Sequence, residues 1–308
     1  MRILCVDHGG MKGISACEVL CQLEQSLGQP LYDCFDLFIG SSAGSVIAAG
    51  LALGLPIDII KQLFLENRHR IFKASHSKML RALASSNSAL YKSDSFEEVL
   101  QEQFGTTLMN STEITKKLCI ITSSTSTEPA STFLFRNYEA PSRYPCVTNA
   151  PVWKAVRASS AAPVYFAPFI DATLTAPLPG TNMIVGHSFI DGAIAAKPAS
   201  IAITEARALN SPNPITILSI SPGMLPHRIS SKNQSSFMRV LSLVPSLSPN
   251  LNHYKSVYNA IVDCATSTEE VDNSLQDCIA LQQGVCGSFV INRSTLTLDL
   301  STLDFGLC

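Results

Sequence analysis

The chain has 308 residues, a formal net charge of −2 and 46% hydrophobic residues. That length can bury a large core without disulfide or metal staples, and the near-zero charge leaves no electrostatic footprint for nucleic acid. Only 15% of residues are charged, so the surface is rather apolar and rich in Ser and Thr, compatible with lipid contact.

Arg2 to Val6 is a short β-type run. It ends in Asp7-His8-Gly9-Gly10-Met11-Lys12-Gly13, after which a helical pattern begins at Ile14. A glycine-rich turn between a strand and a helix presents backbone N–H groups that lack partners and can bind an anion. The anion is either a phosphate or a developing oxyanion. The dinucleotide fingerprint is incomplete because position 8 is histidine, and no P-loop pattern is present. A serine turn one helix later favours the oxyanion, because acyl transfer needs such donors close to its nucleophile.

That turn lies between Phe35 to Ile39, which reads as a buried strand, and Ser45 to Leu55, which reads as a helix stopping near Gly54 and Pro56. It is Gly40-Ser41-Ser42-Ala43-Gly44. A serine on a sharp strand-to-helix turn, with glycine two places away on each side, is a nucleophile elbow. The helix aims its positive N-terminal end at whatever Ser42 attacks. Only two strands precede Ser42, and the glycine loop is the first turn, an order unlike that of ordinary α/β-hydrolases. Those enzymes also need a late histidine. His187, His227 and His253 are the candidates, and none sits at a persuasive strand end.

Leu55 to Asn110 reads as mostly helical, with a Ser-rich break, and could cover the site. Lys116 to Ser123 and Thr132 to Tyr138 read as strands, Pro151 to Ser160 as a helix, and Val164 to Gly186 as a short apolar run followed by a Pro/Gly-rich loop. His187 to Ile190 then leads into Asp191-Gly192-Ala193. Read locally, Asp191 is either a turn former bonding its own backbone or an acidic group held at a strand end. Pro198 to Leu209 is predicted helical and Ile215 to Ile220 a strand. The alternation of strands and helices argues for a three-layer α/β/α architecture with a mostly parallel sheet. After Gly223 the expectations are an apolar stripe at Phe237 to Val244, which packs in the core or dips into lipid, a helix over Tyr254 to Gln283, and strands over Gly287 to Arg293 and Thr295 to Leu300.

The ten cysteines form no Cys-x-x-Cys pair and mostly lie in apolar runs, as free thiols do in a reducing compartment. Neither a signal peptide nor a run of roughly 18–20 apolar residues is found. The expected location is cytoplasmic or peripheral to membranes, with signal-independent export left open.

Three ordered motifs, Asp7 to Gly13, Gly40 to Gly44 and Asp191-Gly192-Ala193, together resemble the patatin-like phospholipases. That family carries Asp-Gly-Gly-Gly-x-Arg/Lys-Gly, Gly-x-Ser-x-Gly and Asp-Gly-Gly/Ala. The stretches Arg157 to Pro163, Ile201 to Ala206 and Ile217 to Ile220 are similar to it as well. The resemblance implies a catalytic core over residues 1–223, with 224–308 as an extension packed on the same domain. It implies a Ser–Asp dyad of nucleophile Ser42 and base Asp191, an oxyanion hole from the backbone of Gly9, Gly10 and Met11, and motif support from Asp7, His8, Lys12, Gly13, Gly40, Gly44 and Gly192. Lys12 matches the family's basic position and would brace the loop. The substrates implied are glycerophospholipids at a membrane surface, with no metal, cofactor or nucleic acid and with a protein activator left open. Acyltransferase, thioesterase and a catalytically weak lipid- or protein-binding module are the alternatives. Histidine departs from the family's glycine at position 8. If that position requires φ > 0, it is strained by about 1–3 kcal/mol. Otherwise His8 is a tolerated wall beside the oxyanion, or a hydrogen-bonding partner for the substrate.

Overall fold

The computed structural model describes residues 1–73, 89, 91–163, 165–194, 196–210, 214–221 and 291–293. The expected Phe237–Val244 stripe, the Tyr254–Gln283 helix, the Thr295–Leu300 strand, His227 and His253 lie outside the described residues.

Among the described residues, nine strands share one sheet. They are β1 (Arg2–Val6), β2 (Leu37–Ser41), β3 (Lys117–Ser124), β4 (Ser131–Arg136), β5 (Cys146–Val147), β6 (Phe169–Pro177), β7 (Ile184–Ile190), β8 (Thr216–Ile220) and β9 (Ile291–Arg293). The main path runs β5-β4-β3-β2-β1-β8-β9, and β7 pairs with both β3 and β6. The neighbours β3-β2-β1-β8-β9 are parallel, whereas β4 and β7 lie antiparallel to β3. Parallel strands buried on both faces read as continuous apolar runs, and Ile3, Leu4, Cys5, Leu37, Phe38 and Ile39 are all fully buried.

The side-chain alternation of those strands builds two cores. Leu4, Val6, Phe38, Leu118 and Ile120 face one, packed with helices α1 (Gly13–Leu27), α3 (Ala43–Ala52), α4 (Ile57–Ile71), α5 (Ser93–Phe104) and α6 (Val152–Ser159). Ile3, Cys5, Leu37, Ile39, Cys119 and Ile121 face the other, against Ile201, Ala202 and Ala206 of α7 (Pro198–Ala208). A short helix α2 (Leu31–Cys34) joins α1 to β2. This is the expected three-layer α/β/α architecture with a mostly parallel sheet.

One local expectation needs correction, and two short elements carried no signal. The loop predicted up to Gly186 is the hairpin β6–β7, whose register shifts between Ile170 and Thr175. Its outer positions stay exposed, and the shift breaks the alternation that would have marked the strands. The short β5 and α2 carry too few residues to show a period.

Candidate active site

The site forms where β1, β2 and β7 end. Chain leaving β2 turns at Ser42, with φ 54 and ψ −126, and enters α3 at Ala43. That conformation is costly for a residue with a Cβ, and the surroundings over-determine it. A Cβ on Gly40 would lie 2.2 Å from the Gly44 carbonyl oxygen, and one on Gly44 would lie 2.1 Å from that of Val6. The Ser42 amide donates to Ser159 Oγ at 2.8 Å, whose hydroxyl donates to the Ile121 carbonyl at 2.6 Å. Ser45 Oγ donates to the Ser42 carbonyl at 2.6 Å.

Asp191 comes directly after the last residue of β7 and lies 149 positions from Ser42 in sequence. The Ser42 hydroxyl donates to Asp191 Oδ2 at 2.7 Å, and the Ala193 amide donates to Oδ1 at 2.9 Å. The turn is held from β3, with Ser123 Oγ donating to the Asp191 carbonyl at 2.8 Å and Thr122 Oγ1 to that of Ile190 at 3.0 Å. Gly192 is obligatory here, since a Cβ would meet the Ile121 carbonyl oxygen at 2.1 Å. Asp191 is only 4% exposed. Burial raises its pKa from 3.8 to about 6, against the opposing hydrogen bonds from Ser42 and Ala193.

A cavity of about 700 Å³ opens over this pair, within the range of small-molecule sites. His8, Gly9, Gly10 and Met11 line it together with Ser42, Ser160 and Asp191. Its remaining wall is mainly apolar, including Val46, Leu63, Phe72, Phe96, Leu100 and Phe166. Thus the segment after Leu55 supplies much of the wall through α4 and α5. Arg157, 1% exposed, ties that wall together. Its guanidinium donates to Glu97 Oε1 at 3.1 Å, Ser93 Oγ at 2.6 Å and the Ala167 carbonyl at 3.1 Å, and stacks 5.7 Å from the Phe166 ring centroid.

Asp7, expected to support the glycine loop, is buried at the end of β1. Gly10 has φ 53, whereas His8 is not among the described non-glycine residues with positive φ, so histidine at position 8 carries no left-handed strain. Burial, aided by Lys197, lowers the His8 pKa to about 4, so its imidazole is neutral at pH 7. A Cβ on Gly13 would lie 3.3 Å from the Ala43 side chain, and Lys12 is exposed at the start of α1. His187 is an exposed residue with φ 56, facing Ser126 rather than Ser42. No helix among the described residues is long and apolar enough to cross a membrane.

Ser159 and Ser160 are the residues that sequence reasoning left without a role. They lie inside the stretch Arg157 to Pro163, whose similarity to the family was the available signal. Ser159→Ala should orphan the Ser42 amide and the Ile121 carbonyl at a cost of about 1–3 kcal/mol. Turnover of a soluble ester is expected to fall roughly ten-fold with KM little changed, a barrier increase of about 1.4 kcal/mol. Ser159→Thr, which keeps the hydroxyl, should recover most of both losses in steady-state kinetics and urea melts.

The chain is similar to several known proteins. The chain is 31% identical over 197 residues to the 85/88 kDa calcium-independent phospholipase A2 of Rattus norvegicus, covering 58% of this chain and 23% of that protein. It is 28% identical over 295 residues to Phospholipase A I of Arabidopsis thaliana, covering 74% and 21%. It is 41% identical over 101 residues to the cUMP-AMP-activated phospholipase of Escherichia coli, covering 32% and 31%. The chain therefore spans less than a third of the length of each of these relatives. The model of the family described as patatin-like phospholipase matches residues 4–203, from β1 through most of α7 and so across both Ser42 and Asp191, and the chain belongs to that family.

Proposed function

We propose that the chain is a serine lipid acyl hydrolase of phospholipase A or lysophospholipase type. The observation that carries this reading is the 2.7 Å hydrogen bond from Ser42 Oγ to the buried carboxylate of Asp191, at the floor of a mainly apolar cavity. An exposed aspartate, with a pKa of about 3.9, is a feeble base for a serine hydroxyl. Raised to about 6 by burial, Asp191 binds a proton far more readily yet is still ionised at pH 7.

In the proposed mechanism Asp191 takes the hydroxyl proton as Ser42 Oγ attacks the acyl carbonyl carbon. The resulting oxyanion is met by backbone N–H groups of Gly9, Gly10 and Met11, with the N-terminus of α3 contributing positive potential. Collapse expels the alcohol portion, which takes the proton from Asp191, and leaves an acyl ester on Ser42. Water, deprotonated by Asp191, then attacks that ester, and collapse breaks the bond to Ser42 Oγ, which takes the proton back from Asp191 as the fatty acid leaves. The apolar wall suits the acyl chain, and the similarity to phospholipases of rat, Arabidopsis and Escherichia coli supports a phospholipid as the source of it.

The test is fatty-acid release from mixed phospholipid vesicles by the wild type, Ser42→Ala and Asp191→Asn. Release by the wild type that disappears in both folded variants is the expected result. Release that persists in Ser42→Ala would overturn the assignment of the nucleophile.

A further inference from the structure

The cavity holds two polar side-chain atoms whose partners are not in the described protein. His8 Nδ1 and Ser160 Oγ are both buried, and both lack a hydrogen-bond partner. Both residues line the cavity beside Ser42 and Asp191, and Ser160 is only 7% exposed. Buried polar atoms are nearly always paired, because one left alone forfeits its hydration with nothing in return. Two such atoms in one mainly apolar cavity, whose other polar lining residues include Ser42, Asp191, Arg68 and His69, point to a ligand that brings its own polar groups.

The proposed reaction already places most of an ester substrate, and the inference rests on that reading. The carbonyl oxygen is assigned to the glycine-loop amides, and the acyl chain to the apolar wall. What remains polar is the alcohol side, consisting of the ester's bridging oxygen and the oxygens of a glycerol phosphodiester. We infer that His8 Nδ1 and Ser160 Oγ hydrogen-bond the alcohol portion of the substrate and select glycerophospholipid esters over simple aryl or alkyl esters. They come from two separate segments of the chain. His8 immediately precedes the glycine loop, and Ser160 is the next residue after Ser159, which accepts the Ser42 amide. A neutral imidazole suits this work, since it can donate to a phosphodiester or glycerol oxygen without a desolvated positive charge beside the dyad. The backbone at position 8 tolerates a side chain, because its φ is not positive. The histidine that replaces the family's glycine therefore adds a contact without adding strain.

The experiment compares two soluble substrates with the same acyl group, dibutyryl phosphatidylcholine and p-nitrophenyl butyrate. Only the alcohol portion differs, so the ratio of their kcat/KM values isolates its recognition from general damage to the site. Ser160→Ala and His8→Phe, which keeps an aromatic ring but no nitrogen, are each expected to lower the phospholipid-to-aryl-ester ratio by roughly ten-fold, the scale of one lost hydrogen bond to a polar substrate. His8→Asn, whose amide can stand near the Nδ1 position, should restore much of the ratio. Reaction of Ser42 with a fluorophosphonate probe confirms that each variant retains a formed site. Variants that label with an unchanged ratio would overturn the selectivity role and leave the hydrolase reading standing. A wild type that hydrolyses neither ester would overturn both.

Discussion

Asparagine in place of Asp191 is expected to lower acyl-ester turnover by about 10²–10⁴-fold, the usual worth of a positioned general base, while making the protein more stable at neutral pH. The activity loss comes from removing the acceptor of the Ser42 proton. In the wild type, kcat/KM should rise as the pH increases through about 6, where Asp191 ionises, and then level off. Combining Asp191→Asn with Ser42→Ala should cost little more than Ser42→Ala alone, because the two residues act as a unit.

The stability gain has its origin in the same burial. Asp191 has its pKa raised from 3.8 to about 6 in the folded chain. Its favourable contribution is complete below the unfolded value and is lost as the pH rises through about 6, since the fold must then hold a desolvated carboxylate. At pH 8 that loss amounts to about 3 kcal/mol. Urea melts should place the Asp191→Asn midpoint above that of the wild type at pH 8, with the gap nearly closed at pH 4. A variant less stable than wild type at pH 8 would mean that the hydrogen bonds from Ser42 and Ala193 outweigh the desolvation.

The second large effect lies on the opposite face of the sheet. Glu205 on α7 is fully buried and accepts from Arg136 Nη1 at 2.8 Å and from the Tyr138 hydroxyl at 2.7 Å. Removing one member of such a pair leaves the other charge buried and uncompensated, which costs about 3–5 kcal/mol. Glu205→Ala should therefore lose most of its stability margin, read as a large fall in the urea midpoint. The double variant Arg136→Met with Glu205→Leu should recover much of that loss, because an intact buried pair contributes little net stability over apolar residues of similar size. A double variant no better than Glu205→Ala would show that the pair stabilises the fold on its own account.

What could be read in the sequence was what short-range sterics enforce. Gly40, Gly44 and Gly192 mark places where a Cβ would meet a backbone carbonyl oxygen within 2.2 Å, so the elbow and the Asp191 turn leave a residue-level signature. The strands β1, β2, β3 and β8 were legible because burial on both faces demands unbroken apolar runs. The hairpin β6–β7 was not, since its exposed positions and shifted register erase the alternation. Ser159 was hidden for a different reason. It meets the Ser42 amide across 117 residues of sequence, and nothing local distinguishes a serine that accepts that bond from one that faces solvent. His8 stood out in the sequence as a departure from glycine, with its role left open, whereas Ser160 became informative only once the cavity showed its hydroxyl buried without a partner.

Ser42 and Asp191 are carried by different partners of one strand. Ser42 leaves β2, which runs parallel to β3, whereas Asp191 leaves β7, which meets β3 only at Ser123↔Ile190 and Ser124↔Phe189. Strand β3 thus serves as the ruler that sets their separation, and its short junction with β7 is reinforced by hydroxyl groups rather than by a long ladder. Fraying of those two rungs would draw the carboxylate away from Ser42 while the parallel sheet stayed whole. Under the proposed mechanism, a local opening at this one seam would lower activity without the cooperative melting of the domain.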